Sequence, residues 1–152
     1  MADPLSRREV AMAAVFARLQ TLAEDFPTIE RFGNWAVPDS ALPALEMEDG
    51  EEEVVGRLSN RVDKVETMIR LTVTARAASD AEIGQTINAA IAKVQAVMGA
   101  EPTFGGVLQD CLYESSMGPF LPDDPGAPPT ASVVLIYRLR RIQSGRDPRA
   151  VV

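Results

Sequence analysis

The sequence contains no histidine and a single cysteine, Cys111. Without imidazole, Ser–His–Asp, Cys–His and zinc hydrolase schemes drop out, and an enzyme of this composition must work with carboxylate, lysine or tyrosine groups. One cysteine cannot close an internal disulfide framework. Aromatic residues make up only 5% of the chain, so Trp35 and Tyr137 each stand out as an anchor for a core or for an interface, which their side chains serve equally well. No run of eighteen apolar residues occurs, and Asp3, Arg7, Arg8 and Glu9 stand where a signal peptide needs a basic head and an apolar stretch. A soluble cytoplasmic product is expected.

What is present is enough for one core. With 152 residues, 46% of them hydrophobic, the chain is expected to form a single domain over 1–152. Twenty-two acidic residues against fifteen basic ones leave a net charge of −7, which disfavours phosphate-driven binding to nucleic acid. The charges are unevenly placed. Glu46, Glu48, Asp49, Glu51, Glu52 and Glu53 form an acidic block, whereas Arg138, Arg140, Arg141, Arg146 and Arg149 crowd the C-terminal region. Such runs read as solvated surface, or as two patches that meet between neighbouring subunits.

Met12, Val15, Phe16, Leu19, Leu22 and Ala23 give residues 5–24 one apolar helical stripe, with Ser6 and Glu9 spaced as a capping box. Pro27 closes this helix. Residues 32–43 read as a connection into a short strand near 42–48, followed by a turn at Asp49-Gly50. Residues 50–64 are expected as a mobile loop, a short strand through Val54-Val55 being the alternative. Ile69, Leu71, Val73 and Ala75 alternate with Arg70, Thr72, Thr74 and Arg76, the pattern of a strand with one buried face. Ser79 or Asp80 is placed to cap a second helix whose face is Ile83, Ile87, Ile91, Val94 and Met98. Strands are expected at 108–115 and 132–140, separated by a proline-rich surface loop at 118–130. Val133, Val134, Leu135 and Ile136 are apolar on both parities, which suits a central strand covered on both faces or an interface. The fold class is therefore α+β: a mostly antiparallel or mixed sheet of four to five strands with two main helices.

No sequence motif assembles a chemical site. Gly105-Gly106 lacks the Lys and Ser/Thr of a Walker loop and the third glycine of a dinucleotide loop, and it follows a helix instead of opening one. Chain reversal is the expected role. Asp123-Asp124 has no further acidic ligand nearby. Cys111 reads as a small core residue, and a small acyl-transfer enzyme using Cys111 or Ser115 is the remaining catalytic alternative. No catalytic residue, metal site or cofactor is assigned.

The segment "RLTVTARAASDAEIGQTINAAIAKVQAVMGAEPTFGG", the strand "ASVVLIYRLRR" and the late Asp147-Pro148 resemble the tail terminator proteins of long-tailed bacteriophages, prophages and gene transfer agents. Glu101-Pro102-Thr103-Phe104-Gly105-Gly106 occupies the place of the family's D-x-T-x-G-G link. The resemblance spans nearly the whole chain and is clearest over 65–148. The acidic block and the length of the 118–130 loop depart from it. It implies a structural virion protein with no chemistry: a hexameric ring at the head-proximal end of the tail tube, which halts tube polymerisation and offers a head–tail joining surface. It implies a tail tube protein and a neck or connector protein as partners, with DNA passing through the lumen unbound. Assembly would take place in the host cytoplasm and the final location would be the neck of the virion. Another neck, connector or head completion protein is the alternative within the same class. A closing ring needs two unlike patches on each subunit, and Glu51, Glu52 and Glu53 facing Arg138, Arg140 and Arg141 across the boundary are the candidate pair.

Overall fold

The computed structural model describes residues 4–33, 38–59, 61–121 and 128–152. Helix α1 spans Arg7–Leu19 and strand β1 Thr28–Arg31. A long hairpin follows, β2 at Ala44–Ser59 and β3 at Val62–Arg76. Helix α2 covers Ile83–Gly99, and strands β4 (Asp110–Phe120) and β5 (Thr130–Ser144) complete the fold. The five strands form one mixed sheet in the order β1-β2-β3-β5-β4, in which only β1 and β2 run parallel. The α+β class and the two main helices stand as expected from the sequence.

Both helices lie on one face of this sheet. Alternation places Ile69, Leu71, Val73 and Ala75 of β3 beside Tyr137, Leu135, Val133 and Ala131 of β5, and all eight are buried. Ala11, Met12, Val15 and Leu19 from α1 and Ile87, Ala90, Val94 and Met98 from α2 close over them. Burying a side chain of this size contributes about 1.5–3 kcal/mol, which makes this layer the main source of stability. The helices cover only that face. Val134 and Ile136 point to the opposite side and remain partly exposed, so the double parity of β5 does not mark a strand enclosed within its own chain.

Several local expectations give way to tertiary pairing. The mobile loop expected at 50–64 is the distal half of the β2–β3 hairpin. Glutamate and glycine are poor strand formers, but β3 pairs with β5 along its whole length and offers β2 a rigid edge. Three bulges absorb the poor fit, between Asp49 and Glu52, Val54 and Gly56, and Arg57 and Ser59. Asp49-Gly50 is accordingly the first bulge and not a turn. A Cβ at Gly50 would lie 2.6 Å from the Met68 carbonyl oxygen, so this close approach requires glycine.

The proline-rich loop is shorter than 118–130, because β4 runs on to Phe120 and β5 begins at Thr130; residues 122–127, with Asp123-Asp124, lie outside the described residues, as does Trp35. Strand β1 falls between the helix closed at Pro27 and the connection read at 32–43, where the sequence assigned no element; its four residues carry no alternation long enough to detect. At α1 the Ser6 hydroxyl accepts from the Glu9 amide at 3.1 Å, while the Glu9 carboxylate turns away to Arg31 and leaves the box half made. Helix α2 starts after Ser79 and Asp80, with Glu82 at its N-cap and no side-chain cap.

Candidate functional site

The glycine pair after α2 is already filled by the protein itself. Gly105 and Gly106 have φ of 74° and 86°, a conformation that turns successive N–H groups inward and can cradle an anion. The anion is Glu101. Its carboxylate accepts from the amides of Thr103 at 2.7 Å and Gly105 at 2.8 Å, and from the Thr103 hydroxyl. Arg18 of α1 closes the arrangement by donating to the same carboxylate at 3.1 Å while stacking 3.7 Å above the Phe104 ring. These donors hold the Glu101 carboxyl down at about 2, the Thr103 hydroxyl first among them. The link is a self-capped reversal that pins α2 to α1.

The acidic block and the C-terminal arginines meet within one chain. Arg141, on the helix-covered face of β5, is 2% exposed and donates to the Glu52 carboxylate. The Thr67 hydroxyl of β3 donates to the same oxygen at 2.9 Å, and Arg8 of α1 lies 3.6 Å from it. Burial pushes the Arg141 guanidinium below its ordinary value, and Glu52 opposes that shift. Arg138 and Arg140 lie on the opposite face, paired with Glu66 of β3 at 3.1 and 3.0 Å; Arg138 also reaches Glu114 of β4 at 2.9 Å. Of the six residues expected at an interface, Arg141 is buried and spends its charge on Glu52 within the chain, Arg138 is half-buried, and Glu51, Glu53 and Arg140 stay accessible. Sequence reasoning missed Thr67, the one polar residue among the buried positions of β3, and that break in the alternation was the available signal.

Two further clusters are structural. Arg31 donates in paired fashion to Glu9 at 2.7 and 3.0 Å and to Asp49 at 2.8 and 3.3 Å, tying α1 to β1 and β2. The hydrogen bond from Arg31 lowers the Glu9 carboxyl. On the other face Glu30 sits directly opposite Glu46, whose carboxyl is raised by burial and by Glu30 and Glu48.

Burial and Asp110 outweigh the favourable charge of Arg18 at Cys111. Burial drives its thiol up to about 12, and Ser115 is an exposed strand residue. Among the described residues no group of three or more acidic or cysteine side chains is arranged to hold a metal ion, and no helix is long and apolar enough to cross a membrane.

Exposed large apolar side chains concentrate on two strands instead. Val54, Val55 and Leu58 stand on the distal part of β2, and Tyr113, Met117 and Phe120 stand on β4, with Leu121 just beyond. Tyr113 packs edge-on against Tyr137, ring centroids 5.5 Å apart.

No protein-family model matches the chain, and no curated protein matches it in sequence. Among solved structures, a chain from a particle described as "Virion of native gene transfer agent (GTA) particle" aligns at 16% identity with a TM-score of 0.42, covering 84% of this chain and 91% of that chain. A likeness at that level transfers neither fold nor role.

Proposed function

We propose that this protein is a structural virion component, a tail terminator that forms a hexameric ring on the head-proximal end of a phage-type tail tube. The ring would stop tube polymerisation and present the head–tail joining surface. The observation that carries the reading is the placement of exposed apolar side chains on two separate strands, Val54, Val55 and Leu58 on β2 and Met117 and Phe120 on β4. A ring closes only when each subunit offers two unlike patches. The backbone cradle at Thr103–Gly105 is occupied by Glu101, which favours a role for the outer surfaces over one for a small anion. The residues quoted from 70–106 and 131–141 supply the resemblance to tail terminators.

The partners of such a ring are the tube protein on one side and a connector or neck protein on the other. The net charge of −7 suits a lumen through which DNA passes without adhering. Glu51 and Glu53 facing Arg138 and Arg140 across the subunit boundary would align neighbours more than hold them.

Purified tail tubes provide the test. Added protein should bind one tube end, visible by electron microscopy as a terminal ring, and arrest elongation. Binding to isolated connectors with no effect on tubes would move the protein to another neck role, and indifference to both would end the virion reading.

A further inference from the structure

We infer that the sheet of one subunit continues into the next, β4 of one copy adding to the free edge of β2 in its neighbour. This deepens the ring reading by naming the two surfaces that join. Strand β1 covers only Ala44–Met47 of the 16-residue β2, so beyond Met47 the strand is paired on its β3 side alone among the described residues. At the opposite end of the sheet the 11-residue β4 is paired, among the described residues, only with β5. The molecule thus carries two unpaired edges of similar length on opposite sides. Long open edges with apolar side chains are what isolated proteins avoid and what strand addition uses.

Three features make a second copy the occupant. Each edge carries its own exposed apolar residues, Val54, Val55 and Leu58 on one and Tyr113, Met117 and Phe120 on the other, so joining unlike edges covers both. Strand direction agrees as well. β2 and β5 run the same way and β4 runs against them, so a rotation that keeps strand direction sets β4 antiparallel to the neighbouring β2, the stronger pairing.

Extent is the third feature. Eleven residues at about 3.4 Å each make β4 a strip about 37 Å long, matched by the part of β2 beyond Met47, Glu48–Ser59. The distal part of β2, Val54–Ser59, lies beyond β4 along the strand axis, since Val54 is level with Arg141 and Ser59 with Ser144 while β4 begins opposite Arg140. The strands must therefore run oblique to the ring axis, as in closed barrels.

Two edge-blocked variants test the pairing. Val54→Lys with Leu58→Lys blocks β2, and Met117→Lys with Phe120→Lys blocks β4; all four positions are exposed, and circular dichroism checks that each variant folds. Light scattering should find the wild type oligomeric, each variant monomeric, and an equimolar mixture at twice the monomer mass, because one good edge of each kind remains. As a second reading, Val55→Cys and Tyr113→Cys, each made with Cys111→Ala, should cross-link only when mixed, because antiparallel overlap brings the middle of the free β2 segment beside Tyr113. Oligomers from either blocked variant, a monomeric mixture, a monomeric wild type, or self-cross-linking of Tyr113→Cys, which reports a β4–β4 dimer, would each overturn the inference. Dimers that form in the mixture while the wild type ignores tail tubes would leave edge pairing intact and remove the terminator role.

Discussion

Arg141 on β5 reaches across β3 to the Glu52 carboxylate on β2, and Thr67 donates to the same oxygen from the strand between them. Three strands are thus joined at one carboxylate, which Arg8 of α1 also approaches. The pair belongs to the monomer and holds the distal hairpin in register with the rest of the sheet.

Removing only the carboxylate leaves a buried cation without compensation. Glu52→Gln should cost about 3–5 kcal/mol, while the double change Glu52→Gln with Arg141→Met should recover much of the loss, because no unpaired charge remains. Urea unfolding of the two variants measures both quantities. Equal losses would show that Arg141 acts through packing alone.

The Glu101 loop predicts an acid limb of stability. Its folded carboxyl, at about 2, lies below the ordinary 4.5, so the unfolded chain takes up the proton first. The contribution is complete above about pH 4.5 and is lost as pH falls toward 2. Glu101→Gln should flatten the stability profile in that window, and carboxyl NMR should place the Glu101 midpoint near the bottom of it. A midpoint near 4.5 would mean that the Gly105 and Thr103 amides do not hold the carboxylate in solution.

Much of the architecture was legible in the sequence because it rests on side-chain period. The alternation of Ile69, Leu71 and Val73 and the four-four-three-four steps of α2 are signals of burial that local chemistry does not disturb. The hairpin beyond Asp49 was not legible, since its pairing is imposed by β3 and β5 from outside and its own residues argue for a loop. The fate of Glu52 and Arg141 was hidden for the same reason. Sequence shows charge of both signs, but whether a pair closes within a chain or between chains depends on which face of the sheet each residue occupies, and the bulge between Asp49 and Glu52 breaks the parity count needed to assign it.

Like charges facing each other on the open side of the sheet predict a gain in stability. Glu30 lies opposite Glu46, and the Glu46 carboxyl is raised by burial first and by its neighbours second. Glu46→Gln should raise stability at neutral pH by about 0.2–1 kcal/mol, the scale of a cross-strand pair. The gain should shrink on acidification as wild-type Glu46 takes up its proton. Thermal unfolding at two pH values decides this, and an unchanged or lower midpoint at neutral pH would count against the repulsion.

Charge alignment between subunits is tested at Arg140, which is exposed enough to change without harming the monomer. Arg140→Gln removes the contact with Glu66 without placing a like charge opposite it, and such a surface pair is worth about 0–1 kcal/mol. Monomer stability should therefore move little, while ring assembly followed by light scattering should weaken and become more sensitive to salt. A ring of unchanged mass and salt response would confine the role of Arg140 to its own chain.

Cys111 offers the sharpest separation of the structural and catalytic readings. A nucleophilic thiol needs a thiolate, and the folded protein pushes this one from 9.0 up to about 12, through burial first and then through Asp110. At pH 8 the thiolate fraction should fall about a thousandfold, and alkylation of the native protein should slow in proportion, because reaction runs through the thiolate. Denaturation should restore the ordinary rate. The Cys111→Ala variant should also keep full assembly, since the thiol is half-buried beside the core and its loss opens only a small space. Rapid native alkylation together with loss of function in Cys111→Ala would return an acyl-transfer role to consideration, because both results would require a side chain that reacts instead of one that packs.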